Sequence, residues 1–255
     1  MTTAIRIRGL TKRFGQLYAV AGIDLDVPAG SFFGLVGPNG AGKTTTLSMA
    51  TGLLVPDAGT VTIHGADVWS EPVEAKRRIG VLPEGLRLFE RLTGAEMLAY
   101  TGRLRGLPGD EVDRRAAELL KVLDLSAAAG KLVADYSTGM RKKITLAAAM
   151  LHSPQVLLLD EPMEAVDPVS ARVIADVLRR YTAGGGTVVL SSHVMALVEQ
   201  LCDTVAVMAG GRIAAAGTVA DVRAGHQHLE DAFLHLVGAR GSSEGELAWL
   251  RSSSS

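Results

Sequence analysis

Apolar and polar positions alternate along the start of this chain. Ile5 and Ile7, then Ile23, Leu25 and Val27, stand two apart with polar neighbours between them. A period of two turns one face of each segment inward, so the N-terminal part reads as half-buried antiparallel strands. Ser31–Val36 is an apolar run of strand length, and Thr45–Ala50 opens a helix. Gly59–Gly65 (GTVTIHG) is a short strand between glycines, and Ile79–Leu82 is another, ended by Pro83. From Thr93 to Leu125 the spacing lengthens to three and four, through Leu98, Tyr100 and Leu104 and then Leu119, Leu120 and Leu123. Leu107-Pro108-Gly109 splits that stretch into two helices. Strand texture returns at Gln155–Leu159, Thr187–Ser191 and Thr204–Met208, with a helix from Pro168 to about Tyr181 and another after Ser191. Gly210-Gly211 makes a tight turn into Arg212–Ala216, the pattern of a hairpin. Leu229–Val237 predicts a short amphipathic helix.

Strands that alternate with helices point to an α/β core. The block between Pro83 and Pro154 carries almost no strand signal and predicts a helical subdomain inserted into that core. The expected layout is one domain over 1–237, with its core in 1–84 and 155–225 and the insert in 85–154. The Gly- and Ser-rich tail, 238–255, with Trp249 as its anchor, predicts a flexible segment. No internal repeat is visible.

Bulk composition narrows the function. At 255 residues and 47% hydrophobic, the chain can bury a large core. A formal net charge of −1 lacks the basic excess of a sequence-independent nucleic-acid binder, so no nucleic-acid partner is expected. The single cysteine, Cys202, permits no internal disulfide and suits a reducing compartment, where it reads as a small buried hydrophobe. Met1–Gly9 has no secretory h-region. The most apolar stretch, Ile144–Leu159, is broken by His152, Ser153 and Pro154, so the chain is expected to reach a membrane only through another subunit.

The densest chemistry is Gly37-Pro38-Asn39-Gly40-Ala41-Gly42-Lys43-Thr44, which satisfies G-x-x-x-x-G-K-[ST] between a strand and a helix. Glycines at 37, 40 and 42 let successive backbone N–H groups face phosphate oxygens. The helix N-terminus, reaching Thr45, adds unpaired N–H groups and a positive dipole end. Lys43 supplies a full charge for the outer phosphates, and the Thr44 hydroxyl is a hard ligand for Mg²⁺.

Val156-Leu157-Leu158-Leu159-Asp160-Glu161 is an apolar strand ending in two carboxylates, at the edge where ligands bind in open α/β sheets. Asp160 is placed to orient Mg²⁺, and Glu161 to take a proton from attacking water. Ser137, in Tyr136-Ser137-Thr138-Gly139-Met140, reads as the N-cap of a helical run over Arg141–Leu151. Such a helix start favours an anion; the alternative is only a capped helix. Arg141, Lys142 and Lys143 read as a solvated helix face, with support near phosphate as the alternative.

Taken in order, the phosphate loop, YSTGM, VLLLDEP, Asp167 and His193 resemble the nucleotide-binding domain of ABC (ATP-binding cassette) transporters, from Thr11 to about Leu236. The resemblance implies a P-loop NTPase core: a mixed sheet with flanking helices, an N-terminal antiparallel β-subdomain and the helical insert. It implies ATP and Mg²⁺ as ligands and ATP hydrolysis as the activity. It further implies that Ser137 and Gly139 contact the γ-phosphate held by a second copy or a paired cassette. In the same way His193 matches the switch histidine, Asp167 the dimer-spanning aspartate, Phe14 the aromatic that stacks on adenine, and Glu84 the position that contacts Mg²⁺ or water and faces a membrane permease subunit.

Several residues depart from the commonest pattern. Glu84 stands where Gln is usual, Thr138 and Met140 alter the signature, Met163-Glu164-Ala165-Val166 precedes Asp167, and Phe14 lacks the tyrosine hydroxyl. The Glu84 and Met140 forms resemble the ABC-2 group of drug and antibiotic exporters. The expectation is therefore an exporter ATPase on the cytoplasmic face of the membrane, with an importer ATPase or a soluble ABC ATPase of translation or DNA as alternatives.

Overall fold

The computed structural model describes residues 2–85 and 88–236. The chain opens with β1 (Thr3–Phe14) and β2 (Leu17–Pro28), then β3 (Phe32–Val36) and α1 (Lys43–Ala50). β4 (Ala58–Ile63), β5 (Ala66–Asp67), α2 (Pro72–Arg78) and β6 (Ile79–Leu82) follow. The helical block holds α3 (Gly94–Leu104), α4 (Gly109–Val122) and α5 (Thr138–Met150). Next come β7 (Val156–Asp160), α6 (Pro168–Ala183), β8 (Thr187–Ser192), α7 (Met195–Leu201) and β9 (Thr204–Ala209). β10 (Arg212–Thr218), α8 (Val219–Arg223) and α9 (Leu229–Leu236) close the described chain.

Two sheets result. The first is antiparallel, in the order β2-β1-β4-β5. The second runs β10-β9-β3-β8-β7-β6, parallel from β9 to β6 with β10 antiparallel at its edge. Every residue of β3, β7 and β8 is buried, as a parallel sheet covered on both faces requires. Alternation along β7 divides the core. Val156 and Leu158 join Ile5, Ile7, Leu25 and Ile63 between the sheets. Leu157 and Leu159 face the helices, with Ile144, Ile174, Leu178 and Val198.

That second cluster runs without a break into the helical block through Leu98, Leu120 and Leu123. A capping box starts α3: Thr93 N–H donates to Glu96 Oε2 at 2.8 Å, and Glu96 N–H to Thr93 Oγ1 at 3.2 Å. Pro108 ends the break before α4, where the sequence places it. At its far end α5 lies on β6. A Cβ at Gly80 would stand 2.1 Å from the Ala149 carbonyl oxygen, so only glycine permits this approach.

The structure extends some expectations and corrects others. α5 begins at Thr138, one turn before the expected Arg141, with Ser137 as its cap. α2, β5 and α8 are too short to show a period, and periodicity does not predict them. α9 is described to Leu236; Val237 and the expected flexible tail 238–255 lie outside the described residues. Among the described residues no helix is long and apolar enough to cross a membrane. Cys202 is buried beside Gly34, and burial, helped by Asp203, pushes its thiol pKa up.

Candidate functional site

β3 delivers the chain into the phosphate loop, and α1 takes it away. A Cβ at Gly37 would stand 2.2 Å from the Met208 carbonyl oxygen, and one at Gly42 2.3 Å from that of Ala19. Gly42 also has φ 105° and Gly40 φ 80°, which L side chains rarely adopt. The loop is pinned by Ala41 N–H to Pro38 O at 3.1 Å and Gly211 N–H to Ala41 O at 3.1 Å. Thr46 is the first residue of α1 to find a carbonyl, that of Gly42, so the N–H groups of Lys43, Thr44 and Thr45 have no helical acceptor. Their shared direction, with the dipole behind them, favours an anion. Pro38, Asn39, Gly40 and Thr44 are exposed, while Ala41 and the Lys43 side chain are buried. The Lys43 ammonium lies inside the loop and donates to Gly37 O at 2.8 Å and Pro38 O at 3.2 Å.

Gly42→Ala tests this geometry. The backbone strain alone costs about 1–3 kcal/mol, before the clash with Ala19. At roughly 2–4 °C per kcal/mol in a chain of this size, differential scanning fluorimetry should record a lower melting midpoint. The shift induced by ATP should vanish with it. A variant matching the parent in both readings would contradict the fitted loop.

Asp160 ends β7 opposite Ser191 of β8. The Ser191 hydroxyl donates to Asp160 Oδ1 at 2.5 Å and accepts the Glu161 N–H at 2.9 Å, so one side chain fixes both acidic residues. Burial pushes the Asp160 carboxyl above the usual carboxylate range, and the Ser191 bond opposes it. Thr44 Oγ1 donates to Glu84 Oε2 at 3.1 Å. Thr44, Glu84 and Asp160 are hard oxygen donors, and the set fits Mg²⁺, which keeps places for phosphate oxygens and water. Among the described residues there is no group of three or more His, Cys, Asp or Glu that could hold a metal by itself.

Glu161 is buried and has φ 44°, a strained value for a residue with a side chain. Four side chains hold it, and the Glu164 N–H donates to its carbonyl at 3.3 Å. Ser191 takes its N–H, and Lys142 Nζ donates to its carbonyl at 2.7 Å. His193 Nδ1 lies 3.0 Å from Oε1, with the carboxylate accepting, and Lys43 Nζ stands 3.8 Å from the same oxygen.

Ser137, Gly139 and Asp167 form a separate patch. Ser137 Oγ accepts the Met140 N–H at 3.3 Å and caps α5. Asp167 Oδ1 accepts the Ser170 N–H at 2.9 Å and caps α6, which holds its carboxyl below the usual range. A Cβ at Gly139 would stand 2.8 Å from Asp167 Oδ2, so the two helix starts are in close contact. Among the described residues no hydrogen bond joins this patch to the phosphate loop. Phe14 is 52% exposed at the end of β1, with Lys12 Nζ over its ring, 5.7 Å from the centre.

One expectation needs correction. Arg141, Lys142 and Lys143 are not a solvated face. Arg141 pairs with Glu90 at 2.9 Å, Lys142 bonds Glu161, and Lys143 is buried and donates to Asp124 O at 3.3 Å. Ser191 was also hidden, because its role exists only once β8 lies beside β7.

A loop shaped for phosphates, a paired carboxylate strand end and a capped signature helix define a nucleotide-binding cassette. The chain belongs to the ABC transporter family, whose model matches residues 20–164. It is an ATPase subunit of that family. The daunorubicin/doxorubicin resistance ATP-binding protein DrrA of Streptomyces peucetius is 41% identical over 87% of this chain and 67% of its own. Nod factor export ATP-binding protein I of Ralstonia nicotianae is 39% identical over 85% and 67%. A solved ATP-binding subunit of an ABC transporter, 28% identical, superposes with a TM-score of 0.85 over 92% of this chain and all of that one.

Proposed function

We propose that two cassettes close around ATP and hydrolyse it to drive a separate membrane permease, in the direction of export. The observation that carries this is a divided site. Lys43, Thr44, Glu84, Asp160, Glu161 and His193 converge on one side of the chain. Ser137, Gly139 and Asp167 lie together elsewhere on it, without a bond to the loop. A second copy would bring that patch to the first copy's γ-phosphate. Charge-assisted hydrogen bonds, about 1.5–3 kcal/mol each, would then form across the interface only while the γ-phosphate is present.

In the closed pair the loop N–H groups and Lys43 hold the triphosphate, and Phe14 stacks on adenine. Thr44 and Asp160, with Glu84 beside them, would hold Mg²⁺, which spreads the charge on the phosphate oxygens. Glu161 takes a proton from water as its oxygen attacks the γ-phosphorus and the bond to the β-phosphate oxygen breaks. His193 orients the Glu161 carboxylate. With the γ-phosphate gone, the link to the partner's Ser137 and Gly139 is lost and the halves separate.

The Glu84 segment and the helical block would pass this motion to the permease, holding the cassette at the cytoplasmic face of the membrane. The export-related relatives and the Glu84 and Met140 forms support that direction. Purification of the native complex tests the reading. The expected result is a bound component with several membrane-spanning helices and ATP hydrolysis that depends on Mg²⁺. A chain that hydrolyses ATP alone as a monomer, with no membrane component, would overturn it.

A further inference from the structure

The helix that begins at Ser137 does more than present a cap. One turn into it, Lys142 leaves the helical block and reaches the turn after β7, where its Nζ donates to the Glu161 carbonyl at 2.7 Å. It also lines a narrow cleft with Pro83 and Gly85, the flanks of Glu84. Lys142 is thus a side chain of α5 that bonds the acidic turn and shares a cleft with the Glu84 segment. The atom it grips matters, because Glu161 holds an unfavourable backbone conformation, φ 44°. Such a conformation persists only where its surroundings over-determine it. Ser191 fixes the N–H of Glu161, and Lys142 at 2.7 Å is the shorter of two donors to its C=O, the other being the Glu164 N–H at 3.3 Å. Between these two clamps the carboxylate is aimed at His193.

We infer that Lys142 is a positioning residue: it locks the Glu161 backbone and so ties the aim of that carboxylate to the placement of the Ser137–Gly139 helix. Lys142 does not touch nucleotide in this scheme. When α5 shifts as its first turn meets the partner's γ-phosphate, the Glu161 turn shifts with it. One nucleotide site thereby influences the hydrolytic geometry of the other. The inference rests on the nucleotide-site reading above and adds to it a residue which that reading does not use.

The test compares Lys142→Met, which keeps the stem and loses the donor, with Lys142→Arg, which keeps a donor. Lys142→Met should lower kcat about 10- to 100-fold, with KM and ATP affinity within about threefold of the parent, since misplacement of a reacting group by an ångström acts on that scale. Lys142→Arg should recover most of kcat. The Lys142→Met and Glu161→Gln double variant should turn over no more slowly than Glu161→Gln alone, because the lysine acts through that carboxylate. If Lys142→Met does not fold, Lys142→Leu, which also has no donor, takes its place against Lys142→Arg. Parental kcat in the variant without the lysine donor, no recovery with arginine, or losses that multiply in the double variant would each overturn the inference. Unchanged turnover in Glu161→Gln by itself would instead overturn the site reading and leave the Lys142 contact to be judged on its own.

Discussion

Lys43→Ala is expected to lower ATP affinity by about 100-fold or more and to abolish measurable hydrolysis. The Lys43 ammonium is held inside the loop by the Gly37 and Pro38 carbonyls, so its charge is aimed before ligand arrives. Bonds from such a charge to phosphate are worth about 1.5–3 kcal/mol each, and two of them account for that loss. The ammonium also stands 3.8 Å from Glu161 Oε1, so its removal unsettles the carboxylate as well as the triphosphate site. Isothermal titration calorimetry with ATP checks the affinity, and phosphate release checks the turnover. Undiminished affinity would place the nucleotide elsewhere.

Glu161→Gln is expected to bind ATP as the parent does and to lose turnover by about 10²–10⁴-fold, the range that general-base catalysis supplies. Glutamine preserves the shape and can still accept from His193, but it cannot take up a proton. With the γ-phosphate kept intact, the closed pair should accumulate. Light scattering on a size-exclusion column should then show a dimer with ATP and a monomer without nucleotide. A variant that stays monomeric in ATP and still hydrolyses would remove the basis for the divided site.

Much of the fold was legible because its signals are local. The two-residue period of Ile23, Leu25 and Val27 marks a strand with one buried face, and β2 has that face. Leu107-Pro108-Gly109 breaks a helix wherever it occurs, and α3 and α4 flank it. The phosphate loop is a continuous motif whose backbone needs are written in its glycines. Ser191 and Lys142 were not legible for the opposite reason. Ser191 matters through the register that sets it against Asp160, across a strand pair remote in sequence. Lys142 stands in a run of three basic residues, and composition alone assigns such a run to solvent. Only the packing of α5 shows that each of the three has a partner, Lys142 on the acidic turn and Arg141 and Lys143 within the helical block. α2 was missed because its seven residues span barely two turns, too few for a period to appear.

The close seat of α5 on Gly80 sets how that helix can move. Its far end is gripped at Ala149, where the strand leaves no room to slide. Its near end is a capped start that packs closely on the start of α6 at Gly139, so the two helix starts move together. A rod of 13 residues is about 20 Å long, so a tilt of roughly 10° about the seated end would swing Ser137 by about 3 Å. That sweep is about one hydrogen-bond length. A small pivot therefore suffices to connect or release a phosphate at the tip, and the buried sheet beneath can stay still while it happens.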